Sequence, residues 1–355
     1  MEETQDERTG EWVRRPPKDP SSFFRIAPEI RELAQIDFIP LLNKDSTEMN
    51  PLDWTQMANC IYERRNDYHG FVVAHGTDTM HFSASALAFA FGPNLNFPIV
   101  FTGAQTTSYV PHGDARINLV RAVRVAIEDL CEVAICFGDF VFRGCRAQKK
   151  DEKKFDAFES PAFFPIADIT EEIVFNNRAR TMKNFEPEGD IIFRPDFELG
   201  MIQLSLIPGL LPDQFMPLLE GDKINGVILQ SFGAGNVPSE GQFSFTNFIK
   251  AAVSKNIPVI ITSQFPANST LHTMYVPGMR AREAGAIPTG NMTNAAATAK
   301  FRWVLVHVNR LIAEGKLDVS QKLDRISHFM TQVYVGEMDD TSNPQRSFLP
   351  QKMPR

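Results

Sequence analysis

The run Gly70–Met80, GFVVAHGTDTM, constrains the fold more than any other stretch of the 355-residue chain. Phe71–Ala74 reads as a short buried strand, Gly76 breaks it, and a helix-like segment from Phe82 to Phe91 follows the Thr77-Asp78-Thr79 turn. Strand, sharp turn and helix in that order form the repeating unit of an open α/β sheet, which presents its chemistry at the carboxyl ends of its strands. A hydroxyl beside a carboxylate at such an end suits nucleophilic catalysis.

The same alternation continues downstream. Ile99–Thr102 and Val133–Phe137 read as further buried strands, with a helix over Thr79–Phe91 that stops at Gly92-Pro93. A second helix is predicted around residues 117–130, with Ile117, Val120, Val123, Ile127 and Leu130 as its apolar stripe. Upstream, Pro51-Leu52-Asp53 opens a helix carrying Trp54, Met57 and Ile61 on one face. Residues 184–198, NFEPEGDIIFRPDFE, mix acids and prolines with little helical period and read as a linker. Strands at Met201–Ile207, Val227–Gln230 and Val259–Thr262, with helices at Phe243–Val253 and Asn294–Ile312, follow it. The expected division is therefore 1–183, a linker over 184–198, a second domain over 199–337, and a poorly ordered tail over 338–355.

Composition narrows the class. At 43% hydrophobic and 22% charged the chain can bury substantial cores, and its net charge of −7 argues against nucleic acid as the main ligand. No apolar run reaches the roughly 18–20 residues that span a bilayer, and MEETQDERTGEWVRRPP lacks an apolar signal core. A cytoplasmic protein without a membrane partner is expected. Cys60, Cys131, Cys136 and Cys145 form no Cys-x-x-Cys pair, which fits free buried thiols in a reducing compartment. His75 and His112 show no metal spacing and read as structural residues; no cofactor or metal is implied.

Three short segments could carry chemistry, and each also has a bland explanation. Asp45-Ser46-Thr47 follows Ile39-Pro40-Leu41-Leu42 and could sit at a strand end facing a ligand carboxylate, or simply cap the Trp54 helix. Thr77-Asp78 could be catalytic, or only the residues a strand-to-helix turn favours. Lys149 lies in Arg146–Lys154, RAQKKDEKK, a charge run that would ordinarily be a solvated loop.

Their order in one chain is more specific than any of them alone. Asp45-Ser46-Thr47, His75-Gly76-Thr77-Asp78-Thr79-Met80, Thr102-Gly103-Ala104-Gln105, Asp114 with Asn118, Arg143-Gly144-x-Arg146-x-x-Lys149, Phe155-Asp156-Ala157-Phe158 and Gly233-x-Gly235-Asn236-x-Pro238 together resemble the type I, cytosolic L-asparaginases, from about residue 9 to 335. GAGNVP lacks the third glycine of a dinucleotide loop, and that reading is set aside. The resemblance implies a large amino-terminal domain with a flavodoxin-like, mostly parallel sheet, a smaller carboxyl-terminal α/β domain, and a homodimer or homotetramer. It implies hydrolysis of the side-chain amide of L-asparagine through a threonine acyl-enzyme, with Thr77, Asp78 and Lys149 as catalytic group. It further implies that Asp45, Ser46 and Thr47 hold the α-carboxylate, that Thr77 and Asp78 also bind substrate, and that Asn236 closes the site from the second domain.

The family usually opens with a central strand and Thr-Gly-Gly-Thr-Ile, whose first threonine is the primary nucleophile; the sequence from Met1 has no such run. A start codon placed too late in a longer gene is the favoured explanation over a shortened chain. Loss of that strand is expected to expose Val72, Val73 and Ile99, and to leave the chain from Met1 poorly soluble and without asparagine turnover. Asn291-Met292-Thr293-Asn294-Ala295-Ala296 stands where the family often reads Asp-Met-Thr-x-Glu-Ala. Two rivals remain: the asparaginase-like subunit that supplies ammonia to a glutamyl-tRNA amidotransferase, and a non-catalytic amino-acid-binding homologue.

Overall fold

In the computed structural model, which describes residues 2–5, 8–15, 22–106, 110–265, 270 and 275–339, the chain folds as two units, Met1–Pro195 and Asp196–Arg355. The first unit opens with an antiparallel pair, β1 (Glu2–Gln5) and β2 (Trp12–Arg15), followed by the short helices α1 (Ser22–Ile26) and α2 (Ile30–Leu33). Helix α3 (Pro51–Arg64) starts where local chemistry dictates. The Asn50 side chain accepts from Leu52 N at 3.0 Å, Asp53 accepts from Asn50 N at 2.8 Å, and Pro51 needs no donor at the first helical position. Its buried face is Asp53, Trp54, Met57, Ala58 and Ile61.

Then come β3 (Phe71–Ala74), α4 (Met80–Phe91), β4 (Ile99–Thr102), α5 (Ala115–Ala126), β5 (Val133–Phe137) and β6 (Phe140–Arg143). The small ladder β7 (Gln148–Lys149) with β8 (Phe158–Glu159) and the strands β9 (Ala167–Ile169) and β10 (Ile173–Phe175) complete the unit. Its main sheet has the order β10-β9-β6-β5-β4-β3. β3, β4 and β5 are parallel, while β6, β9 and β10 extend the sheet in antiparallel pairs. The parallel half is what the apolar runs announce, since strands covered on both faces read as continuous hydrophobic stretches.

Three expectations need correction. Residues 39–42 are not a strand: Pro40 cannot donate to a ladder, and among the described residues no strand lies beyond β3 to pair with this segment. Ile117 and Ile127 on α5 are 46% and 42% exposed, and the buried face is Asn118, Leu119, Ala122, Val123, Val125 and Ala126. The stripe is displaced because α5 is covered on two sides. Ala122, Val125 and Ala126 meet the core under β4 and β5, while Leu119 and Val123 meet Ala27 and Ile30 of the amino-terminal segment. Ile99 is fully buried, and Val72 and Val73 are half-buried rather than open to water. Val72 packs against the residues that flank α5.

The second unit carries a parallel sheet of β11 (Met201–Ser205), β12 (Gly226–Ser231), β13 (Val259–Ser263) and β14 (Ile287–Pro288), in that order. Helices α6 (Phe245–Ser254), α7 (Val276–Glu283), α8 (Asn294–Ala313) and α9 (Lys322–Thr331) surround it. Phe245, Phe248, Ile249 and Ala252 bring α6 onto Val227, Leu229, Val259 and Ile261. The unit also buries an ion pair. Lys300 of α8 meets Glu337 at 2.5 Å, its Nζ also donates to the carbonyls of Met330 and Gln332, and Glu337 accepts from the Tyr334 and Val335 N–H groups. Burial alone would raise the Glu337 carboxyl, but the Lys300 ammonium and these donors outweigh it and hold the group below the usual glutamate range. Ordered structure continues past 337: Met338 is buried and Asp339 exchanges hydrogen bonds with Asn291. Residues 340–355 of the expected tail lie outside the described residues. Among the described residues no helix is long and apolar enough to cross a membrane.

Candidate active site

The turn between β3 and α4 places Thr77 and Asp78 at the carboxyl edge of the parallel strands, with His75 N bonded to Thr102 O as the last rung toward β4. The turn is packed from behind. A Cβ on Gly76 would sit 2.6 Å from Ser46 Oγ, and one on Gly103 would sit 2.3 Å from the His75 carbonyl, so both glycines permit a backbone approach no side chain would allow.

Lys149 reaches this turn from β7. Its Nζ donates to Thr77 Oγ1 at 2.8 Å and to Asp78 Oδ1 at 2.5 Å. The charge run is therefore graded rather than uniformly solvated. The Lys149 side chain is 13% exposed, whereas those of Lys153 and Lys154 are 86% and 77% exposed. Pairing of Gln148–Lys149 with Phe158–Glu159 pulls the lysine inward. Thr77 is buried, and Asp78 is open enough to meet a ligand.

Asp45, Ser46 and Thr47 lie beside the turn. Asp45 caps its own short helical turn, accepting from Thr47 N and Thr47 Oγ1 at 2.9 Å each. Asp45 does not cap the Trp54 helix, whose cap is Asn50; buried Ser46 abuts Gly76 and its carbonyl accepts from Thr79 Oγ1 at 2.6 Å. The segment reaches the site as a tight loop and not from a strand end. Asn236 belongs to the second unit, where Phe232 and Asn236 exchange backbone hydrogen bonds across Gly233 and Gly235, at φ +48° and +97°.

Two further groups bear on the turn, and the sequence carries them only within the family resemblance. His75 forms the end of a directed chain: Trp54 Nε1 donates to Ser83 Oγ at 3.1 Å, Ser83 donates to His75 Nε2 at 2.9 Å, and His75 Nδ1 donates to Gly76 O at 2.7 Å. The carbonyl can only accept, which fixes the proton on Nδ1, and burial keeps the ring neutral by lowering its pKa. The structural reading of His75 therefore holds, with the added task of fixing the turn. Gln105 is the second: its Oε1 accepts from Thr77 Oγ1 at 3.1 Å, and its Nε2 donates to Asp151 O at 3.0 Å and Lys154 O at 3.2 Å. Next to Lys149, His81 is pushed down to about 4 by burial and by the lysine's charge.

A hydroxyl, an amine and a carboxylate in hydrogen-bonded series can activate an oxygen nucleophile, and known proteins share the arrangement's framework. Residues 4–181 match the family model for the amino-terminal asparaginase domain, and residues 202–311 match the glutaminase/asparaginase carboxyl-terminal domain. The chain is 32% identical to the L-asparaginase of Thermococcus kodakarensis over 78% of its length and 82% of that protein. It is also 32% identical to L-asparaginase 1 of Escherichia coli over 78% of its length and 80% of that protein. A glutamyl-tRNA(Gln) amidotransferase subunit of Aeropyrum pernix is 32% identical over 85% of the chain and 72% of its own length. The solved structure of the thermostable L-asparaginase from Thermococcus kodakarensis superposes with a TM-score of 0.81 at 28% identity, covering 96% of each chain. With both halves matched, and relatives of this identity covered over most of their length, the chain belongs to the type I asparaginase family.

Proposed function

We propose that the protein hydrolyses L-asparagine to L-aspartate and ammonia through a threonine acyl-enzyme, with Thr77, Asp78 and Lys149 as the catalytic group. The observation that carries this is the contact of Lys149 Nζ with Thr77 Oγ1 at 2.8 Å and with Asp78 at 2.5 Å. A hydroxyl is a weak nucleophile at neutral pH and needs a neighbour to take its proton. As a neutral amine, Lys149 accepts that proton while the oxygen attacks the side-chain amide carbon. The lysine then returns the proton to the departing nitrogen, and ammonia leaves an ester. Water, deprotonated by the same amine, cleaves the ester to aspartate and the free hydroxyl. Backbone N–H groups around Gly76–Thr77, at the amino end of α4, suit the oxyanion.

Substrate placement follows from charge. Asp78 takes the α-ammonium, and Asp45, Ser46 and Thr47 with their backbone N–H groups form the α-carboxylate side; Asn236 is a further substrate-binding residue. The amino-terminal catalytic domain covers 1–183, the linker 184–198 and the second domain 199–337. The protein works in the cytoplasm as a homodimer or homotetramer.

The test is ammonia release from asparagine and glutamine by the protein, with and without Thr77→Ala. A much larger specificity constant for asparagine is expected; comparable constants for both amides would remove the substrate assignment. Turnover that Thr77→Ala abolishes supports Thr77 as the acylated hydroxyl, and turnover that survives it removes Thr77 from that role.

A further inference from the structure

We propose that Gln105 is a positioning residue that holds the Thr77 hydroxyl proton away from Lys149 until the lysine loses its charge; this rests on the reading of Lys149 as the base for Thr77. The side-chain amide of Gln105 is tied at both ends. Its two N–H groups are engaged, by Asp151 O at 3.0 Å and Lys154 O at 3.2 Å. Carbonyls can only accept, so the amide cannot flip without turning its oxygen against two others. Oε1 is thereby fixed toward Thr77 Oγ1, at 3.1 Å.

The backbone of Gln105 is equally constrained. Its N–H lies 3.1 and 2.9 Å from the two carboxylate oxygens of Asp114, which is buried and also takes Asn118 Nδ2 at 3.1 Å. An acceptor held this firmly acts on the hydroxyl and does not merely follow it. Thr77 has one proton to give. While Lys149 is an ammonium it donates to Thr77 Oγ1 and offers no lone pair, so the hydroxyl proton goes to Gln105, which is the arrangement observed. Once Lys149 is an amine its lone pair is the stronger acceptor, and the hydroxyl must rotate from Gln105 to Nζ before attack.

Gln105 Oε1 therefore stabilises only the charged-lysine arrangement. The other groups facing Lys149 are the Asp78 carboxylate and neutral His81, while Asp151 turns its carboxylate to the N–H groups of Lys153 and Lys154. None of these takes the Thr77 proton. In the sequence, Thr102-Gly103-Ala104-Gln105 carries only the family resemblance, because the amide's partners lie 46 and 49 residues away.

The experiment is carbon-13 NMR of the full chain labelled at lysine Cε, with the Lys149 signal identified by its loss in Lys149→Met. Its titration midpoint is measured in the unsubstituted protein, Gln105→Leu and Gln105→Glu. Gln105→Leu removes the acceptor and should lower the midpoint by about half a pH unit or more, the equivalent of one hydrogen bond. Gln105→Glu supplies a negative acceptor and should raise it. In a Thr77→Val background the leucine substitution should have no effect on the midpoint, since no hydroxyl remains to be held. Opposite displacements that vanish without the Thr77 hydroxyl support the assignment; displacements in the same direction, none at all, or ones that persist in Thr77→Val overturn it. Folding of each variant is checked by cooperative melting, and Gln105→Met replaces Gln105→Leu if the leucine variant does not melt cooperatively. If Lys149→Met leaves ammonia release intact while the midpoints behave as expected, the catalytic reading fails and the hydroxyl-holding role stands.

Discussion

Lys149 and Lys150 are adjacent in the sequence and face opposite demands. Lys149 is turned onto Thr77 and Asp78, whereas Lys150 pairs with Asp156 at 2.6 Å on a more open side chain. Substituting Lys149 by Met should keep the packed stem and lose the base, lowering turnover roughly a hundredfold or more. Lys150→Met should change little, because exposed ion pairs contribute about 1 kcal/mol or less. Equal effects on ammonia release would remove Lys149 from the catalytic role. At this scale the sequence was legible for Thr77, Asp78 and Lys149, residue types suited to the proposed chemistry, which the fold brings together. It carried Gln105 only within the Thr102–Gln105 resemblance and was silent on Ser83; the importance of both comes from partners set by tertiary structure. Asp45 caps its own short turn and not the Trp54 helix, and that turn delivers Ser46 to Gly76.

Among the elements, β3, β4 and β5 were readable to the residue because each is a short apolar run closed by a turn signal. Periodicity failed for α5, where a helix covered on two sides has no single stripe, and for residues 39–42, where a strand-like composition has no ladder to join. The antiparallel strands β9 and β10 escaped notice, being three residues each. The junction of β3 with β4 offers a direct test. A methyl at position 103 would meet the backbone carbonyl of His75 at 2.3 Å, which cannot yield without moving the turn between β3 and α4, and the end of the Met80 side chain at 2.8 Å. Gly103→Ala should therefore cost about 1–3 kcal/mol, as overpacking does, and weaken turnover as well. A urea midpoint unchanged from the parent would show that the turn gives way more easily than its packing indicates.

For the molecule as a whole, buried groups contribute to the response to acid, His75 and His81 through lowered pKa values and Glu337 through its pairing with Lys300. His81 has its folded pKa at about 4, below the 6.5 of an unfolded histidine, so between these values the unfolded chain binds the proton more readily. Stability must then rise with pH through that window, by at most about 1.4 kcal/mol per unit, and fall on acidification. Glu337, held low by Lys300, acts in the same direction further into acid. Its contribution is complete above the unfolded carboxylate value and is lost as pH falls toward the depressed folded one. Urea unfolding followed from neutral pH downward should show this decline, and His81→Gln should flatten its upper part. An identical slope in that variant would assign the decline elsewhere. Two domains were foreseeable from two successive strand–helix alternations, whereas the place of β3 at the end of its sheet, among the described residues, follows from a strand order that no local pattern encodes.

The Lys300–Glu337 pair also has a bearing on biosynthesis. An ammonium from the middle of α8 is sealed inside the second unit by a carboxylate that lies 37 positions later, beyond the end of α9. During translation, β11 to β14 and α8 can emerge from the ribosome and collapse, but the lysine they enclose lacks this counter-charge until Glu337 follows. Final closure of this unit is therefore deferred until residue 337 has been made, and a transcript that stops just short of codon 337 yields a protein that cellular proteolysis should clear, although β11 to β14 are all present.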